Sequence, residues 1–387
     1  MRLGDCGKTN LHTYSDKEKW SLIRYLDTGS ITEGRIDEIQ TLYPGVDKIP
    51  SRARRKASVG DILFSTVRPN QKHYGIIEAG TENLLVSTGF TVVTVDTTIA
   101  DPYFIYYYLT QSSVIESLQA IAEQSTSTYP SIKPSDIEDI ELDLPELETQ
   151  KKIGSTLRML DRKIALNEEI NDNLYAQAKA IFDNHFINID AIPAGWRKGN
   201  LLDIANYLNG LAMQKFRPQE HEIGLPVLKI KELRQGSCDD SSELCSLSIK
   251  PEYIIHNGDV VFSWSGSLLV DIWCGGTCGL NQHLFKVTSD VYDKWFYYLW
   301  TAHHLARFIA IAADKATTMG HIKREELAKA EVLIPCEEDY TSFNSIMQPI
   351  FELIISNRIE SRKLAALRDE LLPKLMTGEI DVSDVQL

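Results

Sequence analysis

Apolar residues recur at alternating spacings of four and three along two stretches of the chain, a pattern that predicts two long helices. The second seam lies 190 residues after the first, and each continues over about four heptads, as in a coiled coil. Each carries a polar interruption at the same place. The first seam is Ile153, Leu157, Leu160, Ile164, Asn167, Asn171, Leu174, Ala178 and Ile181. The second is Phe343, Met347, Ile350, Ile354, Asn357, Ser361, Leu364, Arg368 and Leu371.

The sequence that precedes each helix is also repeated. Residues 104–145 align without gaps with residues 294–335, and residues 58–70 resemble residues 256–267. Each copy has strand-like runs rich in β-branched and aromatic residues. A predicted helix follows, near 102–122 or 292–313, and then a predicted final strand, 137–145 or 330–335. A two-copy repeat of this length indicates duplicated domains of mixed strands and helices, which places the fold in the α+β class.

Four segments are therefore expected. Residues 1–145 and 190–335 form two globular domains, and residues 146–189 and 336–387 form a helical segment after each of them. We predict that the two long helices pair as an intramolecular antiparallel coiled coil, which would relate the domains by a pseudo-two-fold axis. The alternative is that each helix packs only on its own globular domain.

The polar positions favour the paired arrangement, because one antiparallel register aligns them. It sets Asn167 opposite Ser361 and Asn171 opposite Asn357, while leaving only Leu160 poorly matched, opposite Arg368. A slip of one heptad would place these amides in apolar layers, at a cost of about 1–3 kcal/mol for each unpaired group. The polar residues are thus expected to fix the register. The same register sets apolar against apolar in four pairs: Leu157–Leu371, Ile164–Leu364, Leu174–Ile354 and Ile181–Met347.

Composition limits the class of protein. The chain has 387 residues, of which 43% are hydrophobic, but it has no apolar run long enough to span a membrane. Its N-terminal stretch has no apolar signal core, so a cytoplasmic location is expected. Cys274, Cys278 and His283 are close in sequence, but a structural zinc site needs four ligands, so we expect reduced thiols and no metal.

The net charge of −14 argues against nucleic acid as a partner, except for one segment. Residues 48–72 contain seven basic residues and one acid. One interpretation is a solvated surface run. The other is a concentrated DNA-binding face on an otherwise acidic protein.

Several motifs resemble those of the specificity (S) subunits of type I restriction-modification enzymes. Residues 142–182, with their Leu-Pro and Gln150, resemble the first conserved helical region of that family, and residues 371–380 resemble the end of the second. Residues 25–36, 60–70 and 86–90 are similar to one class of target recognition domain. The second copy departs from the pattern, because it has no glutamine equivalent to Gln150. This puts in doubt whether both helix starts make the same partner contacts.

The resemblance implies a non-catalytic DNA-binding subunit. Each target recognition domain would read one half of a bipartite site, and the helical spacer would set the gap between the halves. The spacer would also dock two modification subunits, which bind S-adenosylmethionine and methylate adenine, and through the complex the restriction subunits. No cofactor is expected in this chain. From Ile153 to Ile181 the first helix spans about 42 Å, and one DNA turn is about 34 Å.

Side-chain chemistry restricts the candidate DNA contacts. Arginine and lysine suit phosphates or guanine, while asparagine and glutamine suit adenine. In the first domain the candidates are Arg52, Arg54, Arg55, Lys56, Arg68, Asn70, Gln71, Ser125, Thr126, Thr128, Tyr129 and Lys133. In the second domain they are Lys229, Lys231, Trp264, Asn281, Gln282, His283, Lys315, Thr317, Thr318, His321 and Lys323. For any single one of them, a turn or surface role is the simpler explanation.

The sequence gives little support for an enzymatic activity. Gly7-Lys8-Thr9 lacks the earlier glycine of a phosphate loop. Residues 101–104 are similar to an amino-methyltransferase signature, but tyrosine replaces the second proline and no Gly-rich cofactor loop follows a strand nearby. The sequence therefore predicts a DNA-recognition and scaffold subunit, with no catalytic residues. The alternatives are a coiled-coil adaptor without DNA binding and an orphan adenine methyltransferase component.

Overall fold

Two compact units make up the computed structural model, which describes residues 1–125, 129–314, 321–383 and 385. Unit 1 comprises Met1–Arg162 and Ala365–Leu387, and unit 2 comprises Lys163–Leu364. Each unit therefore contains one copy of the repeated globular sequence and part of each long helix. The division into two units does not test the expected division into four segments, which stays a prediction.

Unit 1 contains two four-stranded sheets. One is antiparallel and has the spatial order Gly7–Thr9, Phe90–Val95, Ile62–Ser65, Tyr74–Ile76. The other has the order Gln40–Leu42, Ile23–Leu26, Leu84–Ser87, Ala53–Lys56, with its two central strands parallel. A short hairpin joins Ile31–Thr32 to Arg35–Ile36. The globular helices are Leu3–Cys6, Pro102–Thr110, Ser112–Glu123 and Pro134–Glu138.

Unit 2 repeats this design. Its antiparallel sheet has the order Asn206–Asn209, Leu284–Thr288, Val260–Ser263, Leu269–Ile272. Its second sheet has the order Leu244–Cys245, Leu225–Leu228, Cys278–Leu280, Ile254–Ile255, again with a central parallel pair. Strands Arg197–Asn200 and Glu331–Ile334 pair separately. The globular helices are Leu201–Ile204, Ile230–Gln235, Lys294–His303, Leu305–Asp314 and Arg324–Ala328.

Strand by strand, the two units share one topology, so the duplication predicted from the sequence and the α+β class are confirmed. In both, valine, isoleucine and phenylalanine fill the central strands, whose buried faces form the cores. The largest core in unit 2 surrounds Phe262 and Phe296, and the corresponding core in unit 1 surrounds Phe64 and Phe104. Each core also receives side chains from both long helices, including Leu157 and Leu372 in unit 1 and Phe182 and Met347 in unit 2.

The long helices run from Leu147 to Phe182 and from Glu337 to Met376. A π-helical turn, Asp183–Ile187, continues the first of them. Shortly after the second helix ends, Gly378 adopts a left-handed conformation (φ 73°), a common way of terminating a helix. No position of either predicted seam is exposed. No helix within the described ranges has an apolar stretch long enough to cross a bilayer.

Two sequence-based expectations about the globular domains were wrong in detail. The single helix predicted near 102–122 is two helices, because the backbone at Gln111 is extended (φ −60°, ψ 138°). Its counterpart near 292–313 divides at His304. A final strand was expected in both copies, but it forms only in unit 2. In unit 1, residues 134–138 are helical, and a single bridge, Arg2 to Glu141, stands where unit 2 has a ladder.

Candidate nucleic-acid interface

Two loops lie together at one end of the antiparallel sheet in the first domain. One follows strand Ile62–Ser65, and the other precedes helix Pro134–Glu138. They are joined by a β-bridge between Val67 and Ser131 and by a hydrogen bond from the Ile132 N–H to the Thr66 carbonyl (2.9 Å). The Ser65 hydroxyl donates to the Val67 carbonyl (3.0 Å). These bonds hold the candidates of residues 66–71 close to those of residues 129–133.

The second domain builds the same pair of loops from different residues. A β-bridge joins Ser265 to His321, and the Ile322 N–H donates to the Trp264 carbonyl (3.1 Å). The Ser263 hydroxyl donates to the Ser265 carbonyl (3.2 Å). Each contact corresponds to one in the first domain. The frame of the loop pair is therefore duplicated, although its side chains are not.

Arg68 is the cation at the centre of the first loop pair. Its guanidinium lies 5.1 Å from the centroid of the Tyr129 ring, a cation–π contact. Asn70 and Gln71 beside it are exposed. The Asn70 backbone N–H donates to Gln119 (3.3 Å), so its side chain is not needed for that bond. Lys133, at the far side of the pair, is also exposed.

The corresponding place in the second domain is aromatic. The Trp264 ring centroid lies 6.2 Å from that of His283 and 6.1 Å from that of His321, and the Trp264 indole N–H donates to Asn209 (2.9 Å). Gln282 contacts His283 Nε2 (3.3 Å), while the buried Nδ1 of His283 has no hydrogen-bond partner in the described ranges. The structure thus gathers side chains from three separate segments of the chain, namely Trp264, the pair Gln282 and His283, and His321.

The basic strand Ala53–Lys56 is less uniform than its sequence suggests. Arg52 is exposed and Arg54 is half-buried. Arg55 is half-buried too: burial lowers the pKa of its guanidinium, and its buried Nη1 has no partner within the described residues. Lys56 pairs with Glu18 and lies 5.2 Å from the centroid of the Trp20 ring. Lys56 is therefore already neutralised within the protein.

Three candidates of the second domain are engaged elsewhere. Lys229 pairs with Glu243, and Lys231 donates to Ser241 (2.7 Å) and pairs with Asp239 (3.4 Å). Asn281 is buried, and its Oδ1 accepts the His283 N–H (3.2 Å). These contacts oppose a DNA role for the three side chains. Lys323 is exposed and Ser125 is half-buried. Thr126, Thr128, Lys315, Thr317 and Thr318 lie outside the described residues.

In unit 2 the polar seam positions meet as predicted. The Asn167 side chain is buried, and its amide donates to Ser361 Oγ (3.2 Å) and to Glu360 (2.8 Å). The Asn357 amide donates to Asn171 Oδ1 (3.0 Å), and the Asn171 amide donates to the Ile354 carbonyl (3.3 Å). Because the partner numbers fall as the first helix advances, the segments are antiparallel. These hydrogen bonds join Asn167 to Ser361 and Asn171 to Asn357, the pairs of the predicted register.

In unit 1, Arg368 was expected to be poorly matched opposite Leu160, but it forms an ion pair with Asp161. Arg368 donates to Asp161 (2.7 Å), and the other oxygen of that carboxylate accepts the Tyr107 hydroxyl (2.6 Å). Burial, and then the Asp161 charge, raise the pKa of Tyr107 well above its ordinary range, so this hydroxyl remains a donor. The sequence reasoning missed this bridge because it considered only seam positions, and Asp161 lies beside the seam.

Gln150, whose counterpart the second copy lacks, is a structural residue. It is buried: its amide donates to the Pro145 carbonyl (2.8 Å), and its oxygen accepts the Asp101 N–H at the start of helix Pro102–Thr110 (3.0 Å). In unit 2, Tyr340 takes this place. Its hydroxyl accepts the N–H of Asp293, which precedes helix Lys294–His303 (2.7 Å). The missing glutamine therefore does not by itself alter an exposed partner surface.

The cysteines form no cross-links. All six are free, and Cys274 and Cys278 are buried. Burial raises the pKa of Cys274, which disfavours the thiolate form that a metal ligand would require. No three His, Cys, Asp or Glu side chains of the described ranges gather in a way that could hold a metal ion.

Comparison with known proteins finds one family model and several relatives that match this chain. The family model described as "Type I restriction modification DNA specificity domain" matches residues 53–176 and 193–367. The chain is 21% identical to the HindI specificity subunit of Haemophilus influenzae, with 98% of each chain covered. It is 26% identical to the MjaIX specificity subunit of Methanocaldococcus jannaschii, covering 84% of this chain and 79% of that protein.

Structural comparison supports the same fold. A type I restriction-modification S subunit from M. genitalium is similar with a TM-score of 0.57 at 15% identity, covering 97% of this chain and 95% of that chain. The family model matches more than half of the chain, in two segments that correspond to the two copies of the repeat. The chain therefore belongs to the family of type I restriction modification DNA specificity domains.

Proposed function

We propose that the chain is the DNA specificity subunit of a type I restriction-modification complex, in which it recognises DNA and leaves chemistry to partner subunits. The observation that carries the proposal is the duplicated loop pair. The same β-bridge and the same bonds between and within the loops hold Arg68 and Tyr129 in one domain, and Trp264 and His321 in the other. Recognition of a site with two unlike halves requires two domains that present different side chains, and this chain has two such domains with the same fold.

Base and backbone contacts would be divided within each domain. Arg68, Asn70 and Gln71 extend from the first loop pair and are assigned to base edges. Arg52, Arg54 and Lys133 are assigned to phosphates, which position the domain without reading sequence. In the second domain we assign base reading to Trp264, Gln282 and His321. The acidic remainder of the chain confines DNA to these faces, because its charge repels phosphate elsewhere.

The helix pair would act as a spacer between half-sites. The polar contacts of Asn167 and Asn171 set its register, and a fixed register gives a fixed length. A first helix of about 42 Å between the ends of its seam is comparable with one DNA turn of about 34 Å. The gap in the recognised sequence would therefore have one defined length.

The helices also offer a docking surface for the modification subunits, whose bound S-adenosylmethionine would supply the methyl group. In unit 1, Asp161 faces the globular domain, while Met159 and Leu367 are 54% and 43% exposed. In unit 2, Arg358 faces the globular domain through Asp271, while Leu166 and Leu353 are 50% and 46% exposed. Exposed aliphatic side chains opposite the covered face suit partner helices. Restriction subunits would join through this assembly in the cytoplasm.

Methylation mapping tests the function. The full chain, copurified with its modification subunit, is incubated with a library of random duplexes and S-adenosylmethionine, and methylated adenines are located by sequencing. We expect a bipartite motif with two unlike halves and a gap of fixed length, and binding that weakens steeply with salt. A continuous palindromic motif would contradict two independent readers. Complex formation without salt-dependent DNA binding would instead support the coiled-coil adaptor.

A further inference from the structure

Arg68 has a backbone conformation that residues with a side chain seldom adopt. Its φ is 48° and its ψ is 70°, in the left-handed region. The residue at the same place in the second domain is Gly266, with a φ of 67°. Glycine adopts this region without steric penalty, because it has no Cβ. The loop frame therefore needs a left-handed residue, and one domain supplies it with glycine while the other tolerates strain to keep an arginine.

No local structural need explains why this residue is arginine and not glycine, because glycine could also donate its N–H to the Pro130 carbonyl as Arg68 does (3.0 Å). The serine-to-carbonyl bond, the β-bridge and the hydrogen bond between loops form equally well around Gly266 in the second domain. Strained residues that the surrounding structure holds in place concentrate at functional sites. The arginine side chain, not the backbone, is therefore the property that the first domain retains here.

The Arg68 side chain is available for a ligand. No carboxylate of the described residues pairs with its guanidinium, in contrast to Lys56, which Glu18 neutralises. Its guanidinium carbon lies over the Tyr129 ring, 5.1 Å from the centroid, a contact that uses none of its N–H donors in a conventional hydrogen bond. Both residues are partly exposed beside Asn70. Arg68 therefore presents a donor fork that no carboxylate of the described residues neutralises.

We propose that Arg68 reads a guanine in the first half-site, donating two hydrogen bonds to O6 and N7 in the major groove. The guanidinium fork matches this acceptor pair, which only guanine presents. Gly266 makes no such contact, so the second half-site is read by other means. The inference rests on the proposed DNA-recognition function and adds the base and the residue that reads it.

The test compares four complexes of full chain and modification subunit in the methylation assay: wild type, Arg68→Lys, Arg68→Ala and Arg68→Gly. Wild type should require guanine at one position of one half-motif. In the alanine and glycine variants that position should become degenerate. The wild-type motif should be methylated roughly 5- to 150-fold more slowly, the equivalent of one lost bidentate contact. Lysine should keep a weakened guanine preference. The other half-motif should not change.

The glycine variant separates reading from folding, since it supplies the residue that the second domain uses. Its unfolding temperature should equal or exceed that of wild type. Arg52→Ala is the matched control: loss of a phosphate contact should slow methylation of all sequences equally. Retained guanine specificity in the alanine and glycine variants, a uniform loss across all sequences, or a wild-type motif without guanine would overturn the inference. A wild-type complex that recognises no bipartite motif would contradict the proposed function itself.

Discussion

The two globular domains share strand order, loop frame and attachment to the long helices, yet they differ where a ligand would be met. At equivalent positions the first domain has Arg68 and the second has Gly266, and the first has Thr66 where the second has Trp264. The serine-to-carbonyl bond and the bond that joins the two loops are found in both. The comparison teaches that the residues that hold the loops and the side chains proposed to read DNA are separate and can vary independently.

The side-chain contacts that join each globular domain to the long helices also differ. The largest expected change in stability comes from removing one of these contacts. In unit 2, Arg358 forms a bidentate pair with Asp271 (2.7 and 2.9 Å) and donates to the Ile272 carbonyl. Arg358→Met should destabilise unit 2 by about 2 kcal/mol, because Asp271 loses its partner while partly buried; solvent access to the pair reduces the effect from that of a fully buried one. Hydrogen exchange should accelerate in strand Leu269–Ile272.

Strand Tyr74–Ile76 of unit 1, the counterpart of that strand, serves as the internal control. Gly75 stands in this strand where unit 2 has Asp271, because it is paired with Leu63 as Asp271 is paired with Val261, so this strand has no carboxylate at that place. Its exchange should not change. Equal acceleration in both strands would mean that the attachment of unit 2 is not independent. The double variant Arg358→Met/Asp271→Asn should recover part of the lost stability, since no unpaired charge remains.

A smaller effect is expected at the polar layers of the helix pair. Asn171→Leu should lower the free energy of unfolding by about 1–2 kcal/mol, because the Asn357 amide is left unpaired in the seam. Asn171→Leu/Asn357→Leu should restore that stability with an apolar layer but weaken the choice of register. Urea unfolding of the purified chain measures both. A single variant as stable as wild type would show that the pair does not define the layer.

The smallest effect is a pH response confined to unit 2. Burial lowers the pKa of His303 and His304 below the ordinary value of 6.5. The unfolded chain therefore takes up protons first as pH falls, and unit 2 loses stability below about pH 6.5, by less than about 1.4 kcal/mol per pH unit for each proton. Unit 1 has Ser113 and Val114 at these positions. His303→Ser/His304→Val should flatten the pH dependence; an unchanged slope would assign it to other groups.

The sequence predicted much of the fold because its strongest signals are periodic or repeated. Seam spacing located both helices. The polar positions predicted a register that sets Asn167 opposite Ser361 and Asn171 opposite Asn357, and these pairs are hydrogen-bonded in unit 2. Duplicated strands indicated duplicated domains. The expected helix near 102–122 was wrong at Gln111, because a local break leaves little trace in an otherwise helical pattern.

The sequence could predict the types of side chain in the candidate site, but not the contacts that these side chains make. Charge marked residues 52–56 as basic, but it could not reveal that Lys56 pairs with Glu18, because that contact joins distant segments of the chain. The left-handed conformation of Arg68 was also hidden. Residues 58–70 already resemble residues 256–267 in sequence, but the positive φ values of Arg68 and Gly266, which give that correspondence its meaning, are seen only in the structure. Tyr340 was visible 190 residues after Gln150, but its equivalent role depends on the reach of a longer side chain.

The central proposal is that the helix pair sets the gap between two half-sites read by unlike domains, and heptad insertion tests it most directly. One heptad is inserted into each long helix at the same layer, between Leu160 and Ile164 and between Leu364 and Arg368. An insertion in only one helix serves as the control and should disrupt register and assembly. The methylated motif should keep both halves and gain a gap about three base pairs longer, since seven residues add about 10.5 Å. An unchanged gap would contradict the account.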